Sequence, residues 1–341
     1  MRRAAVLMIA AALLAAAAVV AFANGGDDDP SAAARAAAER FLDGYVEDDG
    51  RVVRRDQGGD TVSEGQAYAM LLAVATGDQR RFDLAWTWAR DHLRRPDGLL
   101  AWHWDDGQVV DGEASADADL DAARALLLAA RRFGRPELAE EGRRLGDAVR
   151  EHEAVGDLVV AGPWARSEAV VNPSYLSPRA FDALGWEGAS ESTRRFVAAL
   201  PELPPDWARL EGDAATPTGP PGSDEPPSYG YDAARAPLRL AESCAAEDHR
   251  LAARAWPLLR DRDPLPAVLS LDGTPRGPDG SHAVALAGAA GAAEAAGDAA
   301  ASDDLLDRAT DLDEARPSYY GAAWTALARV MLDTDWLGRC G

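Results

Sequence analysis

Apolar residues recur at three- and four-residue spacing along almost the whole chain, and that period leaves little room for anything but helices. The segments that carry it are 32–42, 64–75, 82–93, 119–133, 136–149, 177–184, 192–200, 232–245, 251–259, 283–296, 303–312 and 319–332. Gly, Pro and Asp punctuate the gaps, as at Gly77-Asp78, Arg95-Pro96-Asp97-Gly98 and Gly134-Arg135-Pro136. Alternating β runs are wanting; Leu158-Val159-Val160-Ala161 is at most one short strand. Twelve helices joined by short loops suit antiparallel hairpins, and the chain is expected to be all-α. Residues 201–227 interrupt the pattern with eight prolines and cannot stay helical. They read as a long loop on one domain rather than as a linker between two.

Residues 1–30 read as an export segment followed by a short linker. Arg2 and Arg3 precede an apolar stretch from Ala4 to Ala23, and Ala21-Phe22-Ala23 fits a small-x-small cleavage site. The stretch is about 20 residues, also enough to span a bilayer, so a cleaved signal and an uncleaved anchor both remain open. Either version places residues 31–341 outside the cell as a single catalytic domain. The formal net charge is −22 and all 35 basic residues are Arg. That balance excludes nucleic acid and anionic membrane as partners and suits a neutral or cationic substrate. The protein is expected to be a monomer. Cys244 and Cys340 form no metal motif; they either pair as one disulfide or stay free.

Three stretches hold carboxylates where a helical pattern begins. They are Thr61-Val62-Ser63-Glu64-Gly65-Gln66-Ala67-Tyr68, Ser115-Ala116-Asp117-Ala118-Asp119-Leu120-Asp121 and Tyr231-Asp232-Ala233-Ala234-Arg235. Two carboxyl groups facing across a cleft can cleave a glycosidic bond by acid and base action. A lone Glu at a helix start is usually a response to the helix dipole. Gly65 and Gln66, however, have no capping purpose, which sets Glu64 apart. A base must remain ionised, and Arg235 lies one turn from Asp232 to help it do so. Asp119 is the better helix N-cap of its pair, although the two could exchange roles.

Taken together, and with Val171-Asn172-Pro173-Ser174-Tyr175, these motifs resemble glycoside hydrolase family 8 in the family's own order. Ser115-Ala116 and Ala122 depart from its pattern by small-residue exchanges only. The resemblance implies an (α/α)6 barrel that cuts internal β-1,4 linkages with inversion and uses no cofactor and no metal. It implies Glu64 as general acid, Asp232 as general base and Asp117 as the residue that distorts the sugar at the cleavage point. Asn172 and Tyr175 would line the base's pocket, beside Tyr231 and Arg235. Trp102, Tyr319 and Tyr320 would bind sugar, since flat aromatic faces suit pyranose rings. Trp86, Trp88 and Trp324 fall within helical patterns and read as core, and all five His read as structural. Cellulose-type β-glucan is the first-choice substrate, with xylan and chitosan as alternatives. A non-catalytic glycan-binding scaffold would tolerate losing Glu64 or Asp232, and a lyase would need a Tyr or His base and a basic cleft.

Overall fold

The computed structural model describes residues 29–277 and 280–340. Residues 1–28, where the expected export segment falls, lie outside the described residues. Among the described residues no helix is long and apolar enough to cross a membrane.

Thirteen α-helices are present among the described residues, where the sequence pattern gives twelve. They are α1 (Pro30–Tyr45), α2 (Ser63–Thr76), α3 (Gln79–Leu93), α4 (Ala116–Arg132), α5 (Pro136–His152), α6 (Pro178–Leu184) and α7 (Glu187–Ala198). Then come α8 (Arg235–Ala241), α9 (Ala246–Ala253), α10 (Trp256–Leu259), α11 (Ala283–Ala295), α12 (Ala299–Ala315) and α13 (Tyr319–Asp333). The extra one arises because 251–259 is not a single helix. It falls across the end of α9 and the short α10, with Pro257 near the start of α10.

Five of the helices, α2, α4, α8, α11 and α13, are buried on nearly every side and rich in Ala and Leu. Helices such as α3 and α5 bury one face only. This contrast separates an inner ring from an outer one. The inner helices touch in the circular order α2, α4, α6, α8, α11, α13 and back to α2. Each packs against an outer partner, respectively α3, α5, α7, α9, α12 and α1. Because α13 closes on α1, the result is an (α/α)6 barrel. Ala side chains let the inner helices approach closely, and Gly288 marks the limit. A Cβ there would sit 2.0 Å from the Ala234 carbonyl oxygen.

A buried ion-pair ladder fixes α4 against α8. Arg235 bonds Asp117 at 2.8 Å, Arg239 bonds Asp121 at 2.6 and 2.7 Å, and Arg124 bonds Glu242 at 2.9 Å. Each rung joins residues 118 apart in sequence, so the two helices run parallel. Both side chains of the Arg239–Asp121 rung are 0% exposed. Such pairs add register more than net stability, while removing one partner of a rung is costly.

Short strands, missed by the sequence pattern, decorate the barrel: β1 (Thr61–Val62), β2 (His103–Asp105) and β3 (Gln108–Asp111) form one antiparallel sheet. A pair, β4 (Ala154–Val155) and β5 (Leu158–Val159), includes part of the expected strand at 158–161. The third sheet joins β6 (Val170–Val171), β7 (Trp207–Glu211) and β8 (Ala214–Thr218). Strands of two to five residues are too short to display alternation. β7 and β8 lie inside the proline-rich segment, whose Pro217 is tolerated because β8 is an edge strand. That segment is therefore a loop with a hairpin in it, folded onto the barrel. Cys244 and Cys340 form a disulfide, with a Cα separation of 5.3 Å.

Candidate active site

The N-terminal ends of the inner helices converge on one cleft. A pocket of about 330 Å³ is lined there by Glu64 and Tyr68 from α2, Asp232 and Arg235 around the start of α8, and Tyr319 and Tyr320 from α13. Tyr175, Tyr231, His282, Arg54, Gln57 and Val62 complete its wall.

Glu64 occupies the first turn of α2 because the strand pair β1–β2 delivers it there. The Ser63 N–H donates to the Trp102 carbonyl at 2.9 Å, which brings the Trp102 side chain alongside. Its indole N–H then donates to Glu64 Oε1 at 3.2 Å. Ser63 Oγ is 3.3 Å from Oε2. These are few donors for a carboxylate. Burial pushes the Glu64 carboxyl up to about 8, with help from the charge of Asp117; Arg235 and the Trp102 bond oppose the rise. Gly65 and Gln66 also find their reasons. A Cβ on Gly65 would come 2.8 Å from the Tyr319 hydroxyl. The buried Gln66 amide accepts from the Val52 N–H and donates to the carbonyls of Gly50 and Ala85.

Asp232 has a very different setting. Asn172 Nδ2 donates to its Oδ2 at 2.9 Å, Arg235 to its Oδ1 at 3.0 Å, and the Tyr320 hydroxyl lies 3.4 Å from Oδ1. Its side chain is 32% exposed to the cleft. Arg235 also donates to Asp117 Oδ2 and, at 3.2 Å, to the Tyr68 hydroxyl, so one buried guanidinium ties two carboxylates together. Asp117 receives Ser115 Oγ at 2.7 Å and the Ala118 N–H at 2.9 Å on its other oxygen.

Four tyrosines of this cleft, Tyr68, Tyr175, Tyr319 and Tyr320, are held well above the ordinary phenol range, burial being the first cause in each. They stay neutral and can donate hydrogen bonds to hydroxyls. The Tyr175 ring lies 5.3 Å from the Arg235 guanidinium. Tyr231 is 43% exposed at the cleft and meets the His282 ring edge-on.

Ten residues were expected at the site from sequence. Eight of them line the pocket or bond to a residue that does through Asp232 or Arg235: Glu64, Asp117, Asn172, Tyr175, Tyr231, Asp232, Arg235 and Tyr320. Tyr319 lines it too but is almost fully buried. Trp102 makes its documented polar contact with Glu64. Asp119 is not the N-cap of α4. It sits inside the first turn, where its Oδ1 accepts the Leu100 N–H at 3.0 Å, and burial raises its carboxyl well above the usual range. Ser115 holds the N-cap position instead. Helix α8 begins at Arg235, not 232, because residues 232–234 form a turn.

His282, read as structural from sequence, also forms part of the cleft wall. Its Nδ1 accepts the Val284 N–H at 3.2 Å and caps α11. Sequence reasoning also missed Arg54, which pairs with Asp60, itself 2.7 Å from His103 Nε2. Tyr68 was legible in principle, four residues after Glu64 on one helix face. Asp206 carried no motif, yet it sits directly behind Asp232.

Comparison with known proteins agrees with this architecture. The model for glycosyl hydrolases family 8 matches residues 2–334. The chain is 33% identical over 311 residues to a probable endoglucanase of Novacetimonas hansenii, covering 84% of this chain and 87% of that protein. An endoglucanase of Salmonella typhi is 31% identical over 199 residues, covering 51% of this chain and 54% of that one. The solved endo-β-1,4-glucanase of Acetobacter xylinum superposes with a TM-score of 0.73 at 27% identity, covering 88% of this chain and 97% of that one. A cold-adapted family 8 xylanase shares the fold, with a TM-score of 0.75 at 19% identity and coverage of 90% and 92%. The fold and these relatives define an endo-acting glycoside hydrolase. The chain belongs to glycosyl hydrolases family 8.

Proposed function

We propose that this enzyme cuts internal β-1,4 linkages of a cellulose-type β-glucan with inversion at the anomeric carbon. Glu64 protonates the departing oxygen. Asp232 takes a proton from water on the opposite ring face. Asp117, locked by Arg235, holds the sugar at the cleavage point in a distorted ring shape. Asn172, Tyr175 and Tyr320 surround the attacking water and the base, while Trp102, Tyr231 and Tyr319 help hold the glycan.

The observation that carries this reading is the opposite treatment of two carboxyl groups in one cleft. Glu64 is desolvated and poor in donors, so it keeps its proton near neutral pH. Asp232 accepts hydrogen bonds from Asn172 and Arg235 and is partly open to the cleft. A lyase is disfavoured because the cleft tyrosines are pushed up by burial and make poor bases. The substrate choice follows from the endoglucanase relatives. We place residues 1–30 as an export segment and 31–341 as one catalytic domain, with the enzyme acting outside the cell.

Inversion needs the two carboxyl groups roughly 6.5–9.5 Å apart, leaving space for water. Proton NMR of the first product from a soluble β-1,4 glucan tests the scheme: the α anomer is expected. An initial β product would rule out the water-mediated route. Assays for new reducing ends on glucan, xylan and chitosan then separate the substrates, with glucan expected to be cut fastest.

A further inference from the structure

The sheet formed by β6, β7 and β8 ends beneath Asp232. Antiparallel pairing of Val171 with Ala208 brings the residue after β6, Asn172, and the residue before β7, Asp206, to the same end. Asn172 grips the side chain of Asp232. Asp206 grips its backbone. Asp206 Oδ1 accepts three N–H groups: Gly230 at 3.2 Å, Asp232 at 3.1 Å and Ala233 at 2.8 Å. Its Oδ2 accepts Ser228 Oγ at 3.1 Å, and its own N–H donates to the Ser228 carbonyl at 2.8 Å. A Cβ on Gly230 would come 2.5 Å from Asp206 Oδ2, so the chain passes as near as glycine permits.

We propose that Asp206 is a positioning residue for Asp232: its carboxylate fixes the backbone from Gly230 to Ala233 and sets a negative charge behind the base. The inference rests on Asp232 being the base. A turn of three residues before a helix has several conformations open to it. A single carboxylate oxygen receiving three N–H groups from within four residues narrows that choice. The charge has a second effect, because a nearby anion makes a carboxylate a more willing proton acceptor.

The two carboxylates also act on each other. Burial, and then the charge of Asp232, lift Asp206 to about 6 despite its four donors. The other titratable group close to it is the buried phenol of Tyr229, itself raised by burial and by Asp206. Arg235 bonds the Asp232 carboxylate, and no bond from it to Asp206 is present among the described residues. Arg209 on β7 is engaged by Glu168. Asp206 should therefore lose its charge as pH falls through about 6, and catalysis should weaken there.

The test is a pH–rate profile of the full chain and of Asp206→Asn, which keeps an oxygen acceptor at Oδ1 and removes the charge. Wild type should show a partial fall in kcat near pH 6 before the steeper acid limb. Asp206→Asn should lack that step, lose about tenfold in kcat at pH 7 with KM little changed, and have its acid limb moved to lower pH. Asp206→Ala, which removes the acceptor as well, should lose about a hundredfold, the scale of a misplaced catalytic group. In an Asp232→Asn background, Asp206→Asn should add almost nothing, since both act through one group. A single-step acid limb in wild type would overturn the proposal even if the variants fail to fold, and so would independent losses in the double mutant. An active Asp232→Asn would instead overturn the assignment of the base. An inactive Asp232→Asn beside an unaltered Asp206→Asn would remove only the role of Asp206.

Discussion

Glu64 and Asp232 stand in one cleft, yet the protein builds the two sides by opposite means. The Glu64 side is local. A two-residue strand runs straight into α2, and the nearest polar support is one indole N–H from the strand partner. The Asp232 side is assembled from distant parts: Asn172 beyond β6, Asp206 before β7, Tyr320 on α13 and Arg235 at the head of an ion-pair ladder. The difference suits the proposed roles of acid and base. A group that must hold a proton is served by desolvation, which needs only apolar packing and a nearby anion. A group that must hold a charge needs donors, and donors have to be brought in from several elements.

The comparison breaks most visibly in kinetics. Glu64→Gln and Asp232→Asn should each cost on the order of 10³-fold or more in kcat on a soluble β-1,4 glucan. Circular dichroism should show both folded. Loss of less than tenfold in either would remove that residue from the chemistry.

Arg235 anchors the charged side through Asp117 and Asp232, and a smaller effect should follow from altering it conservatively. Arg235→Lys cannot serve Asp117, Asp232 and Tyr68 together, because an ammonium lacks the planar fork. A loss of roughly 10²-fold in kcat is expected. An unchanged rate would mean that the fork does not position the two carboxylates.

The smallest effect concerns stability and isolates the desolvated side. Glu64 has its folded-state value raised from 4.5 to about 8. Between those values the folded protein binds more protons than the unfolded chain, so this group's contribution falls as pH rises. Glu64→Gln removes that loss. Its melting temperature should exceed wild type by a few degrees at pH 8, and the gain should vanish near pH 4.5. The same ionisation should end activity above about pH 8. A gain that is equal at both pH values would mean that burial does not raise Glu64.

The sequence discloses these two sides unequally for the same reason. Glu64, Gly65, Gln66 and Tyr68 fall in one short stretch, and the inner helices announce themselves by period, so this half is legible. Asp117 and Arg235 are visible as motifs, but the rung between them joins residues 118 apart, which no local pattern records. Asp119 misled because an Asp before an apolar run looks like a cap; its partner is the Leu100 N–H, reached only through folding. Asp206 was hidden among prolines that suggest a featureless loop. The strand that follows it is short, and pairing with β6 gives it its position. His282 was set aside because no second ligand sits at a useful spacing, although its neighbours in space are Tyr231 and Tyr320.

Leaving-group dependence tests the division of labour most directly. Glu64→Gln and Asp232→Asn are compared on a natural glucan and on a glycosyl fluoride of matching stereochemistry, whose leaving group needs little protonation. The deficit of Glu64→Gln should largely disappear on the fluoride, because the missing proton is no longer required. That of Asp232→Asn should persist on both substrates, because water must still be deprotonated. Equal behaviour of the two variants, or the reverse pattern, would contradict the assignment of Glu64 as acid and Asp232 as base.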